Sequence, residues 1–198
     1  MEAALLDLLE VRRGHFRYES GYHGEIWLDL DRLFVKPRVL TPFVQELAAR
    51  LARRDVEVVV GPFAGGAFLA QTIAAELGAL FAYTEPQPSS SSDALFSVAY
   101  RLPDATAPFL KGKRVAIVDD VINAGLAVRG TFKALAKVGA EPVVVGALLT
   151  LGETAAPFIQ ENGMALERLA TLANPLWEPA KCPHCARGAP LGRFASAA

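Results

Sequence analysis

Residues 114–127 read RVAIVDDVINAGLA, an apolar run that leads into two adjacent aspartates and a short glycine-containing loop. The run Val115 to Val118 predicts a strand covered on both faces, as in a parallel sheet. Asp119 and Asp120 come at its carboxyl end, where open α/β sheets bind ligands, and the loop that follows enters a helix whose backbone N–H groups suit a phosphate. Because carboxylates repel phosphate, the pair predicts a bridging cation or hydrogen bonds to sugar hydroxyls. Ribose, phosphate and Mg²⁺ together fit this pattern best.

The sequence on both sides of this segment alternates strand and helix patterns. Before it lie a strand at 56–61, a turn at 62–66, a helix at 67–78, a strand at 80–84 and a strand at 96–100. After it come a helix near 128–138, ended by Gly139, and an apolar strand at 142–151. Repeated βα units with short connections predict an α/β fold with a parallel sheet covered by helices. The serine-rich stretch at 87–92 predicts a mobile loop.

The first 40 residues have a different pattern. A short helix is expected from Ala3 to Val11, stopped by Gly14, and strands at 16–18 and 26–30 flank a turn at 20–24. Together they predict a small hood or lid. A helix capped by Thr41, with Pro42 at its first position, then opens the core. We therefore expect a hood at 1–40, a core at 41–173 and a tail at 174–198.

Composition limits the classes of function. The chain has 198 residues with a formal net charge of −1, so no overall basic field indicates nucleic-acid binding. No apolar run approaches the roughly 20 residues needed to cross a bilayer, and the amino terminus lacks a signal pattern. We expect a cytoplasmic protein with no membrane or nucleic-acid partner.

The segment DDVINAGLA at 119–127 resembles the phosphoribosyl pyrophosphate signature of type I phosphoribosyltransferases. The resemblance implies that Asp119 and Asp120 are the catalytic pair that holds the ribose hydroxyls, and that the residues after them wrap the 5-phosphate. An alternative is that the aspartates are solvated and only cap the turn. The implied ligand-binding residues of this segment are Asp119, Asp120, Val121, Ile122, Asn123, Ala124, Gly125, Leu126 and Ala127.

A second turn supports the same family. VVVGPFAGGAFLA at 58–70 is similar to the pyrophosphate-binding turn of the orotate phosphoribosyltransferase branch. Glycines here would permit positive φ and a close approach of backbone to an oxyanion, although an ordinary tight βα connection has the same composition. The implied ligand-binding residues of this turn are Gly61, Pro62, Ala64, Gly65 and Gly66.

Both ends of the chain extend the resemblance. The front segment GHFRYESGYHGEIWLDL at 14–30 and the tail KCPHCARGAPL at 181–191 resemble corresponding parts of that branch. The resemblance implies the type I phosphoribosyltransferase fold, a parallel sheet with helices on both faces and a small N-terminal hood. It also implies a homodimer, Mg²⁺ as cofactor and a place in pyrimidine biosynthesis and nucleotide metabolism.

The chain departs from the branch at three places. The signature loop lacks its usual hydroxyl residues, for which Arg129 or Thr131 are candidate substitutes, although Arg129 fits a solvated helix position equally well. Residues 85–93, where the branch has a cationic loop, contain no Lys, Arg or His. Glu19 stands where a lysine is usual, and residues 151–153 lack the usual arginine. With Glu19 and His23 as candidate base-binding residues, these changes argue against the anionic base orotate.

The tail contains the only cysteines, Cys182 and Cys185, in a C-P-H-C sequence. They could bind Zn²⁺, but a closed zinc site needs four ligands and one C-x-x-C supplies half of them. Two copies could pair their halves across a dimer axis, or the thiols could be reduced and unligated in a tight turn.

The sequence therefore predicts a phosphoribosyltransferase that binds phosphoribosyl pyrophosphate with Mg²⁺ and transfers the phosphoribosyl group to a nitrogenous base. Loss of the cationic loop leaves a second hypothesis open, in which the chain is a catalytically impaired descendant that senses a phosphoribosyl or nucleotide ligand as a regulator.

Overall fold

The structure, a computed structural model, describes residues 1–87 and 98–192. A helix and a hairpin come first: α1 (Glu2–Leu8), β1 (Val11–Arg17) and β2 (His23–Leu28). The rest alternates: α2 (Asp31–Val35), α3 (Pro37–Ala52), β3 (Val58–Pro62), α4 (Gly65–Leu77), β4 (Leu80–Gln87), β5 (Ala99–Arg101), β6 (Arg114–Ile122), α5 (Leu126–Lys137), β7 (Glu141–Leu151), α6 (Ala156–Glu161), β8 (Ala165–Leu172) and α7 (Pro183–Ala186).

Within residues 1–87 and 98–192, six strands form the central sheet in the order β5-β4-β3-β6-β7-β8. Strands β4, β3, β6, β7 and β8 run parallel, and β5 pairs antiparallel with β4. The predicted fold class is thus confirmed. In the register of the two central strands Val60 lies opposite Ile117, so the carboxyl ends of β3 and β6 meet at one edge.

Side chains of the central strands alternate between two cores, as a strand period of two requires. Val59, Ala116 and Val118 pack with α1, α3 and α4 on one face of the sheet. Val58, Val60, Val115 and Ile117 pack with α5 and α6 on the other face. Both faces are therefore buried, which explains why these strands read as continuous apolar runs.

The front section forms the expected hairpin, but two predicted boundaries were wrong. The first helix ends at Leu8 and not at Val11. Gly14 does not stop this helix, because Gly14 lies inside β1, where the register with β2 shifts between Arg13 and Phe16. A glycine fits such a β-bulge. The hairpin is also joined to the tail, because His23 and Trp177 exchange two backbone hydrogen bonds of 2.8 and 2.9 Å.

The start of the first long helix was also misplaced. Helix α3 begins at Pro37, so the proline at its first position is Pro37 and Pro42 lies within the helix. Each proline is compatible with the first position of a helix, and the local sequence does not distinguish between the two starts. The predicted loop at 87–92 lies outside the described residues apart from Gln87, which belongs to β4, and Phe96 and Ser97 of the predicted strand at 96–100 also lie outside them.

Among the helices of the described residues, none combines the length and apolar character needed to cross a bilayer.

We expect Ile117→Ala to lower the free energy of unfolding by about 2–5 kcal/mol, because Ile117 is fully buried and its truncation leaves a cavity in the sheet. Urea unfolding followed by circular dichroism measures the change. Val35→Ala is the control, since Val35 is 74% exposed and its truncation should change stability by less than about 0.5 kcal/mol. Equal effects of the two substitutions would contradict the described core.

Candidate functional site

The two phosphate-compatible segments lie in direct contact at the carboxyl edge of the sheet. A Cβ atom placed on Gly65 would lie 2.1 Å from Oδ2 of Asp120, and one on Gly66 would lie 2.7 Å from Oδ1 of Asp119. One on Gly61 would lie 2.0 Å from the carbonyl oxygen of Gly66. Only glycine allows this approach, so the turn after β3 and the aspartates of β6 form one unit.

The reason for these glycines differs from the one expected from the sequence. None of Gly61, Gly65 and Gly66 has a positive φ, so the prediction that they supply left-handed backbone was wrong. They are required because side chains and backbone pack against their Cα atoms. In the signature loop, by contrast, Gly125 has φ of +80° and is the N-cap residue of α5.

The aspartate pair is buried and electrostatically unfavourable. Asp119 and Asp120 are 8% and 7% exposed. The N–H of Asp120 donates to Oδ1 of Asp119 at 3.1 Å, and the N–H of Val121 donates to Oδ1 of Asp120 at 2.8 Å. Burial, reinforced by the neighbouring charge of Asp120, raises the pKa of Asp119 well above its usual range. A cation or hydroxyl donors at this position would relieve the repulsion.

A cavity of about 310 Å³ opens over the aspartates, and its size is within the range of small-ligand pockets. The turn after β3, the signature loop and the hood each form one wall. Gly61 lies beneath the turn and does not line the cavity. The predicted residues that line the cavity are Glu19, Pro62, Ala64, Gly65, Gly66, Asp119, Asp120, Val121, Ile122, Asn123, Ala124, Gly125, Leu126 and Ala127.

The hood wall is held in place by hydrogen bonds that the sequence did not indicate. The hydroxyl of Tyr18 donates to the carbonyl oxygen of Ile26 and accepts a hydrogen bond of 3.1 Å from Nδ2 of Asn174 in the tail. Burial raises the pKa of Tyr18, so the phenol stays protonated. Tyr18 thereby fixes the position of the adjacent Glu19 and Ser20, which face the cavity.

Two polar atoms at the cavity wall lack partners. Oγ of Ser20 and Oδ1 of Asn123 are buried, and neither has a hydrogen-bond partner among the described residues. Both residues line the cavity, one from the hood and one from the signature loop, although the two atoms themselves are buried. A buried polar atom left unpaired costs about 1–3 kcal/mol, so a rotation of either side chain toward a ligand in the cavity would recover free energy.

The cavity wall contains no Lys or Arg side chain among residues 1–87 and 98–192. The candidate substitutes for the missing loop hydroxyls both lie elsewhere. The guanidinium of Arg129 packs 4.3 Å from the ring centroid of Phe158, so it is neither in the cavity nor simply solvated. Thr131 is fully buried, and its hydroxyl hydrogen-bonds that of Thr84 at 2.7 Å.

Tyr100 is a further wall residue that sequence reasoning missed. Its ring packs so closely on α5 that a Cβ atom at Gly130 would lie 2.1 Å from Cδ2 of the ring. Burial, with smaller contributions from Glu19 and Asp119, raises the pKa of Tyr100. The glycine inside a predicted helix was the only sequence signal for this close contact.

His23 does not line the cavity, so the geometry does not support the predicted contact with a base. Its Nδ1 atom faces Cys185 and His15 in a separate cluster of side chains outside the cavity. Cys182 and Cys185, the candidate zinc ligands, lie in the same cluster. No local pattern predicted that the hood histidines and the tail cysteines would be in contact.

Comparisons with known proteins agree with this geometry. The phosphoribosyl transferase domain family matches residues 42–157. The chain is 30% identical over 190 residues to an orotate phosphoribosyltransferase of Caldanaerobacter subterraneus, which covers 94% of this chain and 92% of that protein. It is 32% identical over 182 residues to an orotate phosphoribosyltransferase of Thermotoga maritima, with coverages of 91% and 89%.

Solved structures resemble the fold as well. The orotate phosphoribosyltransferase of Aeropyrum pernix superposes with a TM-score of 0.62 at 25% identity and covers 82% of this chain and 88% of that chain. An adenine phosphoribosyl transferase of Trypanosoma brucei, solved in complex with AMP, pyrophosphate and ribose-5-phosphate, has a TM-score of 0.66 at 17% identity. That match covers 99% of this chain and 86% of that chain, and at its low identity it bears on the fold alone.

Asp119→Asn should stabilise the ligand-free protein at neutral pH by at least about 1 kcal/mol, because it removes a buried charge beside Asp120. The folded-state pKa of Asp119 lies above the ordinary 3.8, so the wild type loses stability as the pH rises between the two values. The gain should therefore shrink as the pH is lowered toward 3.8. Urea unfolding of both proteins across this pH range measures the difference.

Asp104→Asn serves as the matched control, because the side chain of Asp104 is 97% exposed. Its substitution should change stability by less than about 0.5 kcal/mol at every pH. A wild type more stable than Asp119→Asn at neutral pH would contradict the described repulsion.

Proposed function

The chain belongs to the phosphoribosyl transferase domain family, and from this membership we propose that it transfers the phosphoribosyl group of phosphoribosyl pyrophosphate to a nitrogenous base. One observation carries the proposal: a buried aspartate pair and a glycine turn are in direct contact and together line a cavity that is large enough for a small ligand. The carboxylates can accept hydrogen bonds from sugar hydroxyls, and the backbone N–H groups of the two turns can donate hydrogen bonds to phosphates. A ligand that has both groups matches the site.

Each wall has a proposed role toward this ligand. Asp119 and Asp120 accept hydrogen bonds from the ribose hydroxyls. Backbone N–H groups of residues 123–127, at the start of α5, donate to the 5-phosphate, because the first N–H groups of a helix have no partner within it. The turn at residues 62–66 holds the pyrophosphate in the same way, since it opens α4.

The reaction needs no covalent nucleophile. The bond between C1 of the ribose and the pyrophosphate oxygen breaks with its electron pair on the oxygen, and a ring nitrogen of the base forms a new bond to C1. Positive charge develops on the sugar as the first bond lengthens. The carboxylates of Asp119 and Asp120 stabilise that charge, an electrostatic effect that is strong in a buried site.

The residues present fit Mg²⁺, which prefers carboxylate and phosphate oxygens. We propose that Asp119 or Asp120, together with the oxygens of the ligand, would hold it. When bound, the ion supplies positive charge that favours departure of the pyrophosphate. Such a cation would also relieve the repulsion by Asp120, which adds to burial in raising the pKa of Asp119.

The acceptor base is proposed to be an uncharged heterocycle. Relatives of 30–32% identity are named orotate phosphoribosyltransferases, but Glu19 lines this cavity and no cation lines it among the described residues. The stretch 151–153, where the resemblance implies an arginine, contains Glu153, which pairs with Arg168 at 2.8 Å. Among the charged side chains that line the cavity in the described residues, an orotate carboxylate would meet only carboxylates, and such like charges can cost several kcal/mol.

The lack of cations favours a second candidate function. Residues 85–97 contain no Lys, Arg or His. A site that keeps its ribose and phosphate contacts but lacks cations for the leaving pyrophosphate would bind better than it reacts. The chain would then be a ligand sensor or regulator. The homodimer, the cytoplasmic location and the role in pyrimidine nucleotide metabolism stay predictions from the sequence.

Isothermal titration with phosphoribosyl pyrophosphate and Mg²⁺ tests the site. We expect the double substitution Asp119→Asn and Asp120→Asn to weaken binding by at least about 100-fold, because two charge-assisted hydrogen-bond acceptors are lost. Asp104→Asn is the exposed control and should bind like the wild type. Equal affinities of the double variant and the wild type would show that the ligand binds elsewhere.

Pyrophosphate release measured against a panel of bases separates the two functions. We expect uncharged bases to react faster than orotate, and Glu19→Gln to raise kcat/KM for orotate by at least about tenfold because it removes a like charge. Glu76→Gln, on the exposed far part of α4, should leave every rate unchanged. Release with any base eliminates the sensor. Binding without release from any base supports it, and no gain for orotate in Glu19→Gln contradicts the role of Glu19.

A further inference from the structure

All of the histidines and cysteines of the chain, three and two in number, lie together outside the cavity. His15 belongs to β1 and His23 to β2, whereas Cys182, Cys185 and His184 belong to the tail at α7. His15 and Cys182 are 167 residues apart in the chain. Because these are the residue types that bind transition metals, their convergence from both ends of the chain indicates a metal site.

We propose that His15, His23, Cys182 and Cys185 bind one Zn²⁺ ion in a closed tetrahedral site that joins the hood to the tail. Their ligand atoms lie within 4.8 Å of one another. Two sulfurs and two nitrogens in tetrahedral arrangement select zinc among the common metals.

Four of the six distances between the ligand atoms are close to the edges of such a tetrahedron. Bond lengths of about 2.0–2.1 Å for Zn–N and 2.3 Å for Zn–S give about 3.3 Å between nitrogens and about 3.6 Å between nitrogen and sulfur. Nε2 of His15 lies 3.0 Å from Nδ1 of His23. Sγ of Cys182 lies 3.4 Å from Nε2 of His15, and Sγ of Cys185 lies 3.7 and 3.3 Å from the two nitrogens.

The imidazole of His15 is oriented as a metal ligand. Its Nδ1 lies 3.0 Å from the carbonyl oxygen of Ala189, to which it donates. The other nitrogen, Nε2, is then unprotonated and faces the two sulfurs. A backbone carbonyl that fixes the tautomer in this way is the usual outer contact of a zinc-bound histidine. The two backbone hydrogen bonds between His23 and Trp177 hold β2, and with it the imidazole of His23, against the tail.

His184 is adjacent to the cluster without being one of the four ligands. Its ring stacks on His15 with centroids 5.2 Å apart, and its Nε2 lies 2.8 Å from Oε1 of Glu25. Both ring nitrogens of His184 thus have other partners, because its Nδ1 lies 3.4 Å from the guanidinium of Arg187. This makes His184 a matched control for the ligand histidines, since it is the same residue type in the same place.

The four ligands come from one chain, so the sharing of two cysteine pairs across a dimer is not needed. His15, His23 and Cys182 are buried, at 5%, 5% and 2% exposure, and Cys185 is exposed. Four protein ligands complete a tetrahedral shell and leave no open position for a substrate. The ion is therefore structural. An isolated two-stranded hairpin is marginally stable in water, and this one carries the cavity residues Glu19 and Ser20. Zinc would hold that wall in place.

The test is the zinc content of the full-length protein, purified under reducing conditions without chelator and measured by plasma mass spectrometry. We expect one zinc per chain. Cys182→Ser, Cys185→Ser and His15→Asn should each raise the dissociation constant for Zn²⁺ by at least about 100-fold, because loss of even an outer contact costs 10–100-fold. His184→Asn should keep one zinc per chain.

A second measurement does not depend on the variants folding. The wild type, stripped of metal and given one equivalent of Co²⁺, should develop the visible absorption of tetrahedral, thiolate-bound cobalt. Octahedral cobalt spectra, half a zinc per chain, or a Cys182–Cys185 disulfide in the freshly purified protein would each overturn the proposal. Loss of zinc in His184→Asn together with its retention in His15→Asn would also overturn it.

Discussion

The contact between the aspartate pair of β6 and the glycine turn before α4 is the constraint on which the site depends. Side-chain oxygens of Asp119 and Asp120 approach Gly66 and Gly65 so closely that no Cβ atom fits. The parallel register of β3 and β6 creates this contact, because it brings both carboxyl ends to the same edge. Two buried carboxylates therefore face a turn able to bind an anion. The proposed ligand, bound at the same edge, would relieve their repulsion.

The hood completes the cavity but depends on contacts far away in the chain. Tyr18 is held by Asn174, and the strand of His23 is held by Trp177, so the tail supports both ends of the hairpin turn. The proposed zinc ion would add a third link between the same segments. A site assembled from a rigid sheet edge and a hairpin fixed by the tail would keep the proposed sugar and phosphate contacts while the hood wall that carries Glu19 changes. The proposed change of base would then be compatible with relatives that are named orotate phosphoribosyltransferases.

Local patterns predicted the sheet edge well. The apolar run before Asp119, the small-residue turn at 62–66 and the glycine-ended helices are each determined within about ten residues, where periodicity and turn chemistry act. The conformation of the turn was not predictable in the same way. Its glycines are explained by what packs on them, and packing partners in another βα unit leave no trace in the local sequence.

Contacts between residues far apart in the sequence were likewise not predictable from local patterns. His23 was predicted to contact a base, His15 had no predicted role, and one C-x-x-C in the tail was interpreted as half of a zinc site. Only the folded chain brings the halves together across 167 residues. Asn174 gave no sequence signal of a site role, and the only signal for Tyr100 was the glycine in α5 on which its ring packs. Pro37 and Pro42 differ, because two local patterns competed there; the helix begins at Pro37, and Leu40 in its first turn is buried in the core.

The most direct test of the central claim is a crystal structure with phosphoribosyl pyrophosphate and Mg²⁺ bound. The account predicts the ribose hydroxyls within hydrogen-bonding distance of Asp119 and Asp120 and the 5-phosphate on the backbone N–H groups of residues 123–127. The pyrophosphate should lie against the turn at 62–66. A ligand bound outside the cavity, or one whose phosphate contacts neither turn, would contradict it.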